Sequence, residues 1–175
     1  METLEALQSR KAVRKYKKEQ IKDSELDTIL AAGGIAPIGL GDHASIHITV
    51  IQNPDLLSKV SKAVKTAVPA MEVPDPIYGA PTLIIVSSAP NERMPTIGDF
   101  NAACILENML VAAADLGVGS VFMLSTILAF SNASLSKDLQ IPIGFKPMAA
   151  AAFGYADEPV SKKELKNPYE TTILR

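Results

Sequence analysis

Apolar residues recur along the chain with periods of about 3.6 and of two residues, and these periods predict its helices and strands. The clearest amphipathic helix follows Asn53 and Pro54, with apolar side chains on one face and lysines on the other. Strict alternation from Ile46 to Val50 indicates a strand. The predicted order is α-α-β-α-β-α-β-α-β, with helices near 4–13, 23–34, 53–67, 99–116 and 134–139 and strands at 46–50, 82–86, 118–124 and 148–153.

The helix predicted at 99–116 is apolar on nearly every face, so we expect it to be buried on all sides. The charge-free run from Leu116 to Ser136 is long enough to raise the question of a membrane span. Glycine, serine and threonine interrupt that run, which therefore predicts a buried strand, a loop and the start of a helix. We expect no membrane association.

Composition narrows the class of protein. The chain has 175 residues, of which 47% are hydrophobic and 21% charged, so it should fold as a single domain over 1–175, with a polar tail at about 156–175. Its only cysteine, Cys104, excludes an internal disulfide and any multi-cysteine metal site. Because no secretory signal is evident, we expect a cytoplasmic protein.

Positive charge is concentrated at the N-terminus. Residues 1–22 carry a net charge of +4, and the remaining 153 residues carry −6. This pattern predicts an anion site on the N-terminal arm. The spacing of Arg10 and Arg14 favours convergence on one side of a helical turn, where two guanidinium groups could hold a phosphate. A solvated charged face and a nucleic-acid-binding module are the alternatives, and the acidic remainder together with the 5% aromatic content disfavours nucleic acid.

Side chains suited to catalysis are scarce. His43 and His47 are four residues apart, but they lie across a loop-to-strand junction, so we expect no metal site. Cys104, on the apolar helix, is typical of a core residue rather than a nucleophile. The glycine patterns of nucleotide-binding loops and the serine elbow of hydrolases are both missing. We therefore assign no catalytic side chain.

Five segments together resemble the nitroreductase family of FMN-dependent oxidoreductases, in the order in which that family has them. They are RKAVRKY (10–16), APIGLGDH (36–43), YGAPTLIIV (78–86), DFNAACILENMLVAAADLGVGSVFM (99–123) and IPIGFKPMAAAAFGY (141–155). The resemblance implies an α+β fold, with a mixed, largely antiparallel sheet flanked by helices. It also implies an intertwined homodimer with two FMN sites at the subunit interface.

The resemblance assigns cofactor-binding residues as well. It implies that Arg10, chiefly on the phosphate, contacts the flavin together with Lys11 and Arg14. Ala12 stands where the family usually has serine. The side-chain hydroxyl to the phosphate is therefore lost, and only the Ala12 backbone can contact the phosphate. After the final Gly-Tyr, a basic residue should complete the phosphate site. The candidates for that role are Lys162 and Lys163.

Two further segments are assigned by the same resemblance. Pro37, Ile38 and Gly39 should reach the flavin from the other subunit, and the backbone near Leu124 and Ser125 should lie beside flavin N5. Several positions depart from the family pattern, and these departures bear on the polar contacts to flavin and substrate. They are Ala12, Ile38, Gly41, His43, Ala44 and Ser45.

The implied activity is the NAD(P)H-linked reduction of a small electrophile, of the nitroaromatic or quinone type. The resemblance implies hydride transfer through flavin N5 in a ping-pong cycle, with NAD(P)H and a small electron acceptor as the partners. The alternative is a non-catalytic protein of the same fold that binds a flavin or another small ligand.

Overall fold

The computed structural model describes residues 2–131 and 133–175, and its order of helices and strands confirms the predicted one. Short 3-10 helices at Gly39–Gly41, His43–Ser45 and Ser125–Ser131 are added to it. The helices are α1 (Thr3–Ser9), α2 (Asp23–Gly34), α3 (Pro54–Ala67), α4 (Ile97–Asp115) and α5 (Ala133–Asp138). The strands are β1 (Ile46–Ile51), β2 (Thr82–Ser88), β3 (Gly119–Met123) and β4 (Lys146–Gly154).

The four strands form one sheet in the order β1-β2-β4-β3, and every neighbouring pair is antiparallel. A parallel bridge between Ala12 and Ser120 adds the N-terminal segment beside β3. The predicted α+β class, with a mixed and largely antiparallel sheet, is confirmed.

Both faces of the sheet are covered, which explains why β2 reads as a continuous apolar run. Leu83 and Ile85 pack on the side of α3, whereas Ile84 and Val86 pack on the side of α2 and α4. All four side chains are fully buried. Since strand side chains alternate between faces, a strand buried on both sides needs apolar residues at every position.

Local capping sets the ends of two helices. Asn53 caps α3 as predicted, because its side chain accepts hydrogen bonds from the backbone N–H groups of Asp55 and Leu56 at 2.9 and 3.1 Å. In α2 the cap position is Lys22 rather than Asp23 or Ser24. There the Glu25 carboxylate accepts from the Lys22 backbone N–H at 2.9 Å, which is the half of a capping box that the third helical residue supplies.

Burial of α4 is incomplete, so the prediction that it is covered on all sides is wrong for a single chain. Phe100 is 67% exposed, Ala103 and Glu107 are exposed, and Cys104 is half-buried. These side chains lie on the face turned away from the sheet and α2. By length and composition α4 could cross a membrane, but half of its apolar stretch is buried within the protein, as in the core helix of a globular protein.

Candidate functional site

The N-terminal basic segment, residues 10–15, is extended. Helix α1 ends at Ser9, and Val13 donates its backbone N–H to the Ser120 carbonyl at 2.9 Å. Val13 and Tyr16 are buried in the core on the α3 side of the sheet. Burial of these side chains and pairing with β3 stabilise the extended conformation against a further helical turn.

The prediction that Arg10 and Arg14 converge on a helical turn is therefore wrong. In an extended chain, residues four apart share a side but are separated by about 13 Å. Arg10 lines a cavity of about 170 Å³ together with Gly119 and Ser120. Arg14 instead lines an adjoining cavity of about 340 Å³, whose wall includes Ala12. Both cavities are also lined by Lys11, and we call the two together the basic cleft.

Part of the C-terminal tail docks beside this cleft. The Lys163 backbone N–H donates to the Gln8 carbonyl at 2.8 Å, and the Gln8 side-chain amide donates to the Lys163 carbonyl at 3.2 Å. Lys11 Nζ donates to Ser161 Oγ at 2.7 Å. These contacts bring residues 161–163 next to the basic segment. The rest of the tail has little regular structure and exposes several apolar side chains, among them Val160, Leu165, Tyr169, Ile173 and Leu174.

The two lysines assigned by the resemblance have different surroundings. Lys162 forms an ion pair with Glu5. Lys163 is exposed, but loss of hydration where the tail docks, together with the nearby Arg10 charge, holds its pKa below the usual value for lysine. Lys163 is thus the lysine that the fold brings to Arg10.

Charge in the basic cleft is predominantly positive. Among the described residues, Arg10 pairs with Glu107 of α4, with 3.6 Å between Arg10 Nε and Glu107 Oε1, and Glu158, which also lines the cleft, pairs with Lys15 at 2.9 Å. Lys11 and Lys163 add two more cations, and the charges of Arg10 and Lys11 both act to lower the pKa of Lys163. Like charges in one region repel each other, and an anion with several oxygen acceptors would relieve the repulsion. The donors fit a phosphate group.

A glycine allows the basic segment to lie against β3. A Cβ atom built on Gly119 would fall 3.0 Å from Val13 Cγ2 and 3.1 Å from the Gly154 carbonyl oxygen. A larger residue would therefore push the segment away from the strand. The cleft exists because the chain can approach β3 this closely.

Leu124 and Ser125 lie at the opposite end of β3 from the basic cleft. Thr126 Oγ1 donates to the Met123 carbonyl at 3.0 Å, and the Ile127 backbone N–H donates to the Leu124 carbonyl at 3.1 Å. These bonds fix the turn, whereas the Leu124 side chain is 62% exposed. From Ser120 to Leu124 the chain spans about 13 Å, so the turn and the basic cleft lie at opposite ends of the same strand.

Pro37, Ile38 and Gly39 lie in a loop held by α4. The Gly39 backbone N–H donates to Asn101 Oδ1 at 2.8 Å, and Asn101 is only 3% exposed. None of the three loop residues lines the basic cleft of the same chain. The structure therefore brings Arg10, Lys11, Ala12 and Lys163 together but leaves residues 37–39 apart from them.

Sequence reasoning missed three polar residues that shape this region: Asn101, Glu107 and Ser161. Asn101 within a predominantly apolar helix was a usable signal, because a buried polar group needs a partner, whereas Glu107 is exposed and, like Ser161, gave no such signal. His47 packs edge-to-face on Phe145, with 6.1 Å between the ring centres. Within 2–131 and 133–175, no three histidine, cysteine or acidic side chains are grouped so that they could hold a metal ion.

The sheet and its basic cleft define an α+β protein whose sheet edge is suited to an organic phosphate. Comparison with known proteins identifies the family: the sequence profile of the Nitroreductase family matches residues 7–155. The chain belongs to the nitroreductase family.

Individual relatives agree with this assignment. A protein of Archaeoglobus fulgidus, provisionally named NADH dehydrogenase/NAD(P)H nitroreductase, is 30% identical over 70% of this chain and 67% of its own length. A protein of the same provisional name from Methanothermobacter thermautotrophicus is 24% identical over 96% of this chain and 84% of its own length. The crystal structure of a nitroreductase with bound FMN from Bacteroides fragilis superposes with a TM-score of 0.85, at 27% identity, over 99% of this chain and all of the other.

Proposed function

We propose that this nitroreductase-family chain is an FMN-dependent oxidoreductase that holds the FMN phosphate in the basic cleft. The observation that carries the proposal is the convergence of Arg10, Lys11 and Lys163, with Glu107 as the carboxylate paired to Arg10 and with Glu158 of the cleft wall paired to Lys15. The FMN-bound nitroreductase of the same fold supports the choice of cofactor. A guanidinium and two ammonium groups, less the Glu107 carboxylate, leave a charge of +2, which matches the charge of about −2 on a phosphate monoester.

Each residue has a distinct role in this proposal. Arg10 offers a bidentate guanidinium to the phosphate, Lys11 and Lys163 add point charges, and Ala12 contributes backbone only. Arg14, farther along the extended segment, lines the adjoining part of the cleft. The backbone at Leu124 and Ser125 is proposed to face the ring. When bound, FMN supplies two-electron redox chemistry at N5, and the protein supplies binding, orientation and electrostatics.

We further propose that NAD(P)H is the reductant and that a small electrophile of the nitroaromatic or quinone type is the acceptor. The names of the archaeal relatives support NAD(P)H. Since no catalytic side chain is assigned, both substrates are proposed to use one open face of the site in turn. Double-reciprocal plots of rate against NAD(P)H at several acceptor concentrations should then be parallel, as in a ping-pong cycle. Intersecting lines would instead show a ternary complex.

Two substitutions test whether a catalytic side chain has been overlooked. Cys104→Ala and His43→Ala should keep turnover within about tenfold of the wild type, a change of at most about 1.4 kcal/mol in the barrier. Loss of activity in Cys104→Ala, with FMN still bound, would contradict the absence of a protein nucleophile. Bound flavin that NAD(P)H fails to bleach would favour the alternative, a non-catalytic flavin-binding protein.

We propose that the chain functions as an intertwined cytoplasmic homodimer. Phe100 on α4 and Ile35 and Leu40 beside the 37–39 loop are 67%, 81% and 69% exposed, and a subunit interface would cover them. Such a dimer would also allow Pro37, Ile38 and Gly39 to reach the partner's flavin. The whole of 1–175 is proposed to form this single FMN-binding unit.

Analytical ultracentrifugation tests the dimer. At micromolar concentration the sedimenting mass should be about twice 18.6 kDa. Phe100→Asp should shift the distribution towards the monomer, because it places a charge on an apolar face. The control Thr66→Asp places the same charge on the exposed polar face of α3 and should leave the mass unchanged. A wild-type monomer that binds FMN would rule out a site shared between subunits.

A further inference from the structure

A second cavity, of about 850 Å³, lies beneath α3 at the end of the sheet where β1 stops and β2 begins. We call it the α3 pocket. Its walls come from α3, from the 74–81 loop and from the segment that follows the basic cluster. It shares no lining residue with the basic cleft, so the two are separate sites.

Hydrogen bonds to Asp75 fix the outer wall of the α3 pocket. Asp75 Oδ1 accepts from Ser61 Oγ at 2.7 Å and from the Ile77 backbone N–H at 3.1 Å, and Oδ2 accepts from the Gly79 backbone N–H at 2.7 Å. Tyr78, with φ of +60°, lies within this turn. The wall is therefore ordered, and the one carboxylate that lines the pocket is already occupied by three donors.

Three lysines give the α3 pocket a positive charge. Lys62 and Lys65 are three residues apart on one face of α3, and Lys18 faces them from the N-terminal segment. Within residues 2–131 and 133–175, none of the three forms an ion pair with a carboxylate. With Asp75 as the only acidic lining residue, the local balance is three positive charges to one negative.

The floor of the α3 pocket is apolar. Leu57 is 7% exposed, Ile77 3% and Ala80 3%. At one side, the amides of Gln20 and Gln52 both hydrogen-bond to the buried hydroxyl of Thr82, at 2.6 and 3.2 Å. An apolar floor with a few fixed polar groups is typical of small-molecule sites, whose volumes are about 300–1,000 Å³.

We propose that the α3 pocket binds a small organic anion with an apolar body, of the class of aromatic carboxylates. The carboxylate would face Lys62, Lys65 and Lys18, while the ring would lie on the floor formed by Leu57 and Ile77. Neither an inorganic anion nor a neutral aromatic compound uses both halves of the pocket. The site is independent of the flavin, so its test does not depend on the proposed redox function.

The test is isothermal titration of the purified protein, with its flavin, against 1-naphthoate. Saturable binding to one site per chain is expected, and Lys62→Ala/Lys65→Ala should weaken it by about tenfold or more. The matched control, Lys59→Ala/Lys137→Ala, removes the same number of charges away from the pocket and should change the affinity by less than about twofold. Lys62→Arg/Lys65→Arg should restore most of the binding, which separates lost charge from lost folding.

Three results would overturn the proposal. Equal weakening in both double-alanine variants would show non-specific attraction of an anion. Equal affinity for the neutral 1-naphthalenemethanol would show that the lysines play no part. Competition between 1-naphthoate and added FMN would place the compound in the basic cleft rather than in the α3 pocket.

Discussion

Arg10→Ala is expected to weaken FMN binding by about 10- to 150-fold, which corresponds to about 1.5–3 kcal/mol for hydrogen bonds to a charged group. The Arg10 side chain is 22% exposed and pairs with Glu107, and it supplies the guanidinium group of the smaller cavity, whereas its cationic neighbours Lys11 and Lys163 offer only point charges. Quenching of flavin fluorescence during titration of the apoprotein measures the dissociation constant directly.

Two controls separate phosphate recognition from general positive charge. Lys17→Ala removes an exposed charge outside the basic cleft and should change FMN affinity by less than about twofold. Riboflavin, which lacks the phosphate, should bind the wild type poorly and lose little further affinity in Arg10→Ala. If Arg10→Ala and Lys17→Ala bind FMN alike, the basic segment is only a charged surface.

Phe153→Ala is expected to lower the free energy of unfolding by about 3–5 kcal/mol. Phe153 is fully buried on β4, between Thr82 of β2 and Ser120 of β3, and it packs into the core on the α2 and α4 side. Its removal leaves a cavity that a strand paired on both sides cannot close by shifting. Urea unfolding followed by circular dichroism, on protein stripped of flavin, measures the change.

An aromatic residue on the surface provides the matched control. Tyr169 is 79% exposed on the tail, and Tyr169→Ala should alter the free energy of unfolding by no more than about 0.5 kcal/mol. A loss below about 1 kcal/mol in Phe153→Ala would mean that the core on this side of the sheet repacks more freely than its burial indicates.

Much of the fold was predictable because its signals are local. The alternation in β1, the apolar run of β2 and the Asn53 cap of α3 each depend on residues within a few positions of one another. The extended conformation of residues 10–15 was not predictable in this way. It depends on the bridge from Ala12 to Ser120 and on burial of Val13, and both involve partners more than a hundred residues away in sequence.

The candidate site was likewise predictable only in part. The basic cluster was visible in the sequence, and family resemblance supplied both Lys162 and Lys163. Only the fold distinguishes them, because it places Glu5 beside Lys162 and Arg10 beside Lys163. The exposed face of α4 was not predictable either. Its apolar residues are typical of a protein core, whereas Phe100 faces outward in the fold.

Helix α4 has a consequence for efforts to alter substrate range. Asn101 holds Gly39, and Glu107, about 9 Å farther along the helix axis, pairs with Arg10. In the proposed dimer the two contacts serve different flavins. The Glu107–Arg10 pair serves the flavin in the subunit's own cleft, and the Asn101–Gly39 bond positions the loop that reaches the partner's flavin. Close-packed helices transmit displacement instead of absorbing it. A substitution that tilts α4 to enlarge the space at one flavin site would therefore disturb the other flavin site. Useful variants should then carry two substitutions, the second of which restores the contact that the first disturbs.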